Sequence, residues 1–419
     1  MKLYSKYLIV LIAVFSFSII MPYFYSIIFI ENTNKDFVYY SEIIDDFAVS
    51  TFTQNRSFIY RDKAGNTYTE KEFKQILPQV YVRDLVLTNS YSEIINNRII
   101  SAEDMIKYNF YLSARAKNID EERIRIKLSP VFETQSGSAN LTMPVDLARI
   151  GKDITFINAR TREIDNEKSE LFTNELINKG FTFPVKLYGT NPDVRKPYDV
   201  GTFLIDKNNT LFRLYMVKGK PVVEKYNTNI GDEEIIYISI RENKYADFYG
   251  FMIAKSGNIF LININHTLSK ITVDNYNPNK DTMRININPL HILLNISTDK
   301  YQYTYIYDKN YNLLKSYPLD IESSLSGYRL DIYNMLFPFS IYHDASSAAG
   351  YLKIEKSENL LLSIIFIVFL LCIYIVICRY FKSISKTTII DIFVIALSGI
   401  YGFTALILLQ NFKKDTLWE

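Results

Sequence analysis

Three histidines, one Asn/Asp ladder, a run of alternating tyrosines and a lone membrane-segment acid are the side chains of this 419-residue chain with chemistry to offer. His266, His291 and His343 lie far apart, and none opens an H-x-x-x-H or C-x-x-C arrangement, so zinc finds no local ligand pair. His266 and His291 sit among strand-forming residues, where a hydrogen-bonded structural histidine is the expected role. His343-Asp344 beside Ser346-Ser347 supplies the residue types of a nucleophilic triad. Triads are assembled in space rather than by adjacency, however, and no G-x-S-x-G elbow occurs. Asn275, Asn277, Asn279 and Asp281 set oxygens at every second residue, as calcium loops do. Lys280 stands where the turn glycine belongs and carboxylates are few, so a solvated loop is expected. Neither a Walker A loop nor G-x-G-x-x-G appears, so nucleotide hydrolysis is not coded. The expectation is a chain with no catalytic residues, no metal and no cofactor.

Tyr301, Tyr303, Tyr305 and Tyr307 fall on one face of a strand. Such a ladder packs as core or rim, or, if exposed, binds carbohydrate or a partner protein. Asp391 is the one acid inside an apolar segment. One turn from the segment's end, it is expected at the membrane interface, paired with Lys386 or Lys382. Gly399-x-x-Gly402 allows close helix approach but lacks the four-residue spacing of the dimer motif.

The elements that must carry these residues begin with the greasy ones. In 359–378, fifteen of twenty residues are Leu, Ile, Val or Phe and none is charged. Both 359–378 and 389–409 are long enough for a roughly 30 Å hydrocarbon core. Residues 7–30 carry no charge and lack a small-residue cleavage site, so an uncleaved anchor kinked at Pro22 is expected. Lys2 and Lys6 at the front and Arg379, Lys382 and Lys386 between the last two segments put those flanks in the cytoplasm. A tail with Lys413, Lys414, Asp415 and Glu419 then lies outside. Three transmembrane helices follow, with a large loop facing the periplasm of a bacterial inner membrane. The lipid bilayer is the first expected partner.

That loop is nearly neutral. Forty-seven basic residues less the seven in the flanks leave 40, and 45 acidic less three leave 42, a net charge of −2. A nucleic-acid surface or a polybasic lipid-binding face needs clustered positive charge, so neither is expected. Both cysteines, Cys372 and Cys378, are in the second apolar segment. The outer region therefore relies on core packing rather than disulfides.

Along the loop, 57–60 reads as a strand, 62–66 as a turn, and Thr69-x-x-Glu72 as a capping box opening a helix stopped by Pro78. Residues 81–107 are ambiguous, more helical than not. Residues 123–128 alternate basic and apolar and predict a strand. Residues 165–179 predict a helix with an Asp165 or Asn166 cap, a stripe of Leu171, Phe172, Leu176 and Ile177, and a Gly180 stop. Residues 181–199 read as loop, and 201–321 as dense strands. Within the strands, 203–212, 251–260 and 305–314 repeat a strand–polar turn–strand pattern centred on Asp206, Ala254 and Asp308. Asn158 and Asp62 begin similar turns. Apolar alternation around Asn/Gly/Asp turns signals hairpins, and this spacing suits propeller blades. The fold class is thus mainly β with short helices, propeller-like or another antiparallel β domain, plus three transmembrane helices. Four regions result: an anchor at 1–30, an α+β region at 31–200, a β-hairpin region at 201–358, and a helical hairpin at 359–411.

Several stretches carry a resemblance. Glu167-Lys168-Ser169-Glu170-Leu171-Phe172-Thr173, Lys179-Gly180-Phe181-x-Phe183-Pro184, Arg195-Lys196-Pro197-Tyr198-Asp199 and Met216-Val217-Lys218-Gly219-Lys220-Pro221 resemble an uncharacterised family of membrane-anchored proteins from Bacteroidetes, catalogued as a domain of unknown function (4857). Residues 64–70 and 75–78 are similar too, and the likeness is strongest over 57–225. It implies an inner-membrane protein with an outward domain, encoded beside ABC-transporter components, and brings no catalytic residues. The expected function is a non-enzymatic, membrane-anchored protein whose periplasmic β-rich domain binds a partner as an accessory of an ABC-type transport complex. A permease-like transporter subunit and a periplasmic hydrolase are the alternatives.

Overall fold

Side-chain oxygens bend the chain at four of the five repeated turns. In the computed structural model, Asp206 Oδ1 accepts from the backbone N–H groups of Asn208 and Thr210, each at 2.8 Å. Asp308 Oδ1 does the same for Asn310 and Asn312. Asp62 holds Asn66 N–H at 2.9 Å, and Asn158 holds those of Arg160 and Thr161. At Ala254 no side chain opens the turn, which closes by Gly257 N–H to Ala254 C=O at 2.9 Å, with Ser256 Oγ accepting from Asn258 N–H at 3.3 Å. Such Asx turns reverse a strand without long-range help, which is why the sequence advertises them.

The structure describes residues 3–30, 33–124, 126–135, 141–227, 230–322, 325–344, 350–380 and 386–409. Lys2, Arg125, Ser346, Ser347, Lys382, Lys413, Lys414, Asp415, Glu419 and the side chain of Lys386 lie outside the described residues. The chain divides into a unit of 35–321 and a unit formed by 1–34, 322–345 and 350–419.

In the first unit, five antiparallel sheets follow in chain order. The first holds Lys35–Ser41, Asp46–Phe52, Phe58–Asp62 and Thr67–Tyr68. The second runs through Leu128–Ser129, Asp146–Ile150, Ile154–Asn158 and Ile164–Asp165. The third comprises Leu187–Gly189, Thr202–Ile205, Leu211–Val217 and Lys220–Lys225. The fourth comprises Ile235–Ile240, Phe248–Ala254, Ile259–Asn263 and Leu268–Ile271. The fifth runs from Leu313–Asp320 through Tyr301–Tyr307 and Ile292–Ser297 to Thr282–Ile287, and gains Phe110–Arg115 as an outer strand.

From the second sheet onward, each packs on the next. Phe156 meets Leu204 and Phe212 between the second and third sheets. Phe203 and Ile205 meet Ile238 and Met252 between third and fourth. Phe251 and Leu261 meet Met283, Ile285 and Leu294 between fourth and fifth. Leu293 and Ile306 of the fifth then pack on Val38, Phe47 and Val49 of the first. Leu204 thus faces one neighbour and Phe203 the other, so inner strands are apolar at consecutive positions. Each such side chain contributes about 1.5–3 kcal/mol when buried. The core runs continuously across residue 200, because the strands on either side of it share one cluster. The described residues are mainly antiparallel β with several helices, and show no closed barrel or propeller.

The helices depart from expectation in two places. Thr69 and Glu72 form the capping box of Glu70–Ile76. Pro78, however, begins a second helix, Pro78–Leu87, because a proline at the first helical position has no N–H to satisfy. The strand predicted at 123–128 is mostly absent. The helix Ala116–Ile124 takes Arg123 and Ile124, and only Leu128–Ser129 pairs as strand. Three alternating pairs are too few to distinguish period two from a Lys/Glu/Arg-rich helix anchored by buried Ile119. The ambiguous stretch after Leu87 resolves into a ribbon of Ile94–Ile95 with Arg98–Ile99 and a helix, Ala102–Lys107. Asn166–Asn178 forms with Asp165 accepting from Lys168 N–H at 2.9 Å, and buries Phe172 and Leu176. Its Leu171 and Ile177 stay exposed.

In the other unit, two helices are long and apolar enough to cross a membrane, Ser5–Phe29 and Leu360–Tyr380. The third predicted span is broken. Lys386–Ser398 and Ile400–Leu409 meet at Gly399, whose φ is +60° and whose missing Cβ leaves room for Pro338, 3.0 Å away. Neither piece alone reaches a bilayer's width.

Candidate functional site

The fifth sheet turns one polar face toward the first. On Thr282–Ile287 the odd positions Met283, Ile285 and Ile287 are buried, which sends Arg284 and Asn286 to the opposite face. Register aligns Arg284 with Ser113 and Asn295 on its two neighbours, and Asn286 with Tyr111 and Leu293. Between this face, the strand Lys35–Ser41 and the start of Pro78–Leu87 lies a cleft of about 260 Å³. Its polar lining comes from Gln79, Asn109, Arg284, Asn286, Asn288 and Asn295, with rings from Tyr39, Tyr40 and Tyr111.

Gln79 is fixed at the cleft floor. It is 5 % exposed, and its Nε2 donates to the Tyr40 carbonyl at 2.6 Å. That bond sets the amide's orientation, and its Oε1 finds no hydrogen-bond partner among the described residues. A buried amide oxygen left unpaired costs about 1–3 kcal/mol, so this atom is the conspicuous debt of the site.

Behind the cleft, His291 is 1 % exposed and its ring stands edge-on to Tyr40, centroids 5.3 Å apart. Its Nδ1 lies 3.0 Å from Glu42 Oε1, and its Nε2 lies 3.4 Å from Asn288 Nδ2. The His291 hydrogen bond, outweighing desolvation and aided by Asn96 and Arg98, holds the Glu42 carboxyl below the usual carboxylate range. Asn288 Oδ1 caps the turn by accepting from Leu290 and His291 N–H. Lys309 donates its ammonium to the Asn288 carbonyl. Desolvation there, with repulsion from Arg98 next, lowers its pKa to about 8. The arrangement is a rigid rim of planar amides and one guanidinium around a buried acceptor, with a hydrogen-bonded histidine fixing the wall. It can hold a ligand that both donates and accepts hydrogen bonds.

The residues singled out in the sequence fall elsewhere, His291 excepted. Tyr305 and Tyr307 are buried, donating to the Asp274 and Thr272 carbonyls at 2.7 and 2.8 Å. Tyr301, 40 % exposed, is the outward end of a ladder that runs into the core. Asn277 and Asp281 serve their own loop: Asp281 Oδ2 accepts from Asn277 N–H at 2.7 Å, and Asn277 Oδ1 from Asn279 N–H. His266 lies 3.2 Å from Glu224. No group of three or more His, Cys, Asp or Glu suited to a metal occurs among the described residues.

Asp391 is 2 % exposed. Its oxygens accept from Tyr7 and Tyr374 hydroxyls at 3.0 and 2.9 Å, with Lys6 Nζ at 3.5 Å. These partners come from two other helices, Leu3–Phe29 and Leu360–Tyr380, and charge bias alone could name none but Lys6. The cleft residues went unmarked in the sequence, although Arg284-x-Asn286-x-Asn288 between apolar neighbours was the available signal.

No curated protein matches the chain. A family model described as a domain of unknown function, DUF4857, matches residues 37–307. The match starts in the first strand, ends in the fifth sheet and contains every cleft residue, so the chain belongs to this DUF4857 family.

Proposed function

We propose that this chain is a membrane-anchored, non-enzymatic binding protein of the bacterial inner membrane, whose β unit faces the periplasm and serves an ABC-type transport complex. The observation that carries the binding role is the amide-lined cleft, built on paired strands and a capped turn rather than on loose loops. Rigid placement of polar groups is what recognition needs. The anchoring is supported by the two long apolar helices. The broken pair Lys386–Ser398 and Ile400–Leu409 is read as a third passage, since together they run about 35 Å at 1.5 Å per residue.

Two features of the helical unit support this orientation. Lys6 and Asp391 meet at one end, and Arg379 stands in the last turn of Leu360–Tyr380. Tyr25, Tyr333, Phe337 and Tyr401 cluster at the other, the kind of belt that marks an interface. The five stacked sheets are read as a propeller-like array. The transport role rests on the family resemblance. Affinity capture of the full chain from native membranes in mild detergent tests it: co-purification of a transport ATPase and its permease is expected, and recovery of the chain alone refutes it.

A further inference from the structure

We infer that the cleft takes a neutral saccharide, with Gln79 Oε1 accepting one of its hydroxyl groups. The inference rests on reading the cleft as a binding site and adds the class of ligand.

Gln79 supplies the first argument. One N–H of its amide is committed to the Tyr40 carbonyl, which fixes the side chain, and its oxygen, an acceptor only, is buried where a ligand donor would be worth most. The rim supplies the second. Asn109, Asn286 and Asn295 are amides, each both donor and acceptor, as sugar hydroxyls are. An anion would call for donors throughout, and a metal ion for oxygens throughout. The lining contains Arg284 but no carboxylate, which also disfavours a cationic ligand.

Tyr111 supplies the third. It is 51 % exposed on the outer strand Phe110–Arg115, directly across from Asn286, and offers a ring face to sugar C–H groups next to a hydrogen-bonding amide. An extended peptide would instead seek the unpaired backbone of a sheet edge. The cleft opens on the face of the fifth sheet, and in the edge strand beside it, Lys35–Ser41, the Tyr40 carbonyl is already taken by Gln79. Its volume of about 260 Å³ is at the small end of ligand pockets and suits one terminal sugar unit rather than a long chain lying flat.

The test uses the full chain in detergent. It is screened on a glycan array, then titrated calorimetrically with the best neutral oligosaccharide and with trialanine. Binding of a neutral oligosaccharide is expected. Tyr111→Ala and Asn286→Ala, at positions outside the apolar clusters, are expected to weaken it about tenfold or more, the worth of one well-made contact. Gln79→Leu is expected to weaken it similarly; since it also removes the Nε2 bond to the Tyr40 carbonyl, its melting temperature is read alongside to separate lost binding from lost stability. No sugar bound, trialanine bound in its place, or sugar binding indifferent to all three substitutions overturns the inference. If sugars fail while Tyr111→Ala and Asn286→Ala abolish capture of the membrane partner, the cleft remains a binding site and only the saccharide class falls. If both fail, the binding reading falls with it.

Discussion

Replacing Lys196 by methionine is expected to destabilise the β unit far more than a lysine substitution ordinarily does. Lys196 is almost wholly buried, and its ammonium meets Asp199, Glu242 at 3.3 Å and the Asn191 carbonyl at 2.6 Å. It also sits 4.3 Å from the centre of the Phe132 ring. Two carboxylates therefore share one cation in a dry environment. Lys196→Met keeps the length and removes the charge, leaving Asp199 with Thr134 and Glu242 with Asn191. Removing one member of a buried ion cluster costs about 3–5 kcal/mol. For a unit of this size, roughly 2–4 °C per kcal/mol gives a melting temperature lower by about 6–20 °C. Circular dichroism melts of the full chain in detergent measure the loss. Triple substitution Lys196→Met, Asp199→Asn and Glu242→Gln is expected to recover part of it. A single variant within about 1 kcal/mol of the parent refutes the reasoning.

Glu42 is expected to make stability depend on pH. Its carboxyl is depressed by His291, so its stabilising effect is present above the unfolded value of 4.5 and fades as pH falls through the folded one. Urea midpoints of the parent should therefore fall faster than those of Glu42→Gln between pH 5 and 3.5; parallel curves argue against the pair. Lys309, with a pKa of about 8, is about half neutral at pH 8, where an ordinary lysine is roughly 0.4 % neutral. Brief acylation followed by peptide mass spectrometry should find it among the fastest-modified lysines, and a rate equal to that of Lys255 contradicts the assignment. Gly201 has φ +86°, and an added Cβ would fall 2.4 Å from the Leu214 carbonyl oxygen. Gly201→Ala should lose at least about 1–3 kcal/mol in denaturant titration, whereas Gly65→Ala, with open space around it, should lose less.

What the sequence made legible was local. The Asp62, Asn158, Asp206 and Asp308 turns are written within five residues each, as is the Thr69 capping box, and all form. Yet the repeated turns do not occupy one equivalent place. Those at Asp206 and Ala254 join second and third strands, whereas those at Asp62, Asn158 and Asp308 join the last two of their sheets. The wording marks hairpins and leaves sheet boundaries open. Pairing across distance was illegible. Phe110–Arg115 docks against Thr282–Ile287, and nothing local specifies that partner. The cleft depends on that pairing, since Tyr111 meets Asn286 only through it. His291 was visible as a histidine, but Glu42, its partner, lies 249 positions away. Gly399 was visible as a small residue on a span, but its left-handed φ and the close approach of Pro338 from another segment were not. The Arg195-Lys196-Pro197-Tyr198-Asp199 stretch carried a family likeness, and its physical content, a buried lysine between two acids, emerged only with Glu242 in place.

The account depends most on the cleft opening outside the cell's inner membrane. Cys372 and Cys378 are the chain's two cysteines, so a Cys372→Ser, Cys378→Ser background leaves none to react. In that background Tyr111→Cys places one thiol at the rim of the cleft, and a membrane-impermeant maleimide is added to cells whose outer layer has been permeabilised. The account expects labelling before the inner membrane is broken. Labelling that occurs only after lysis contradicts it.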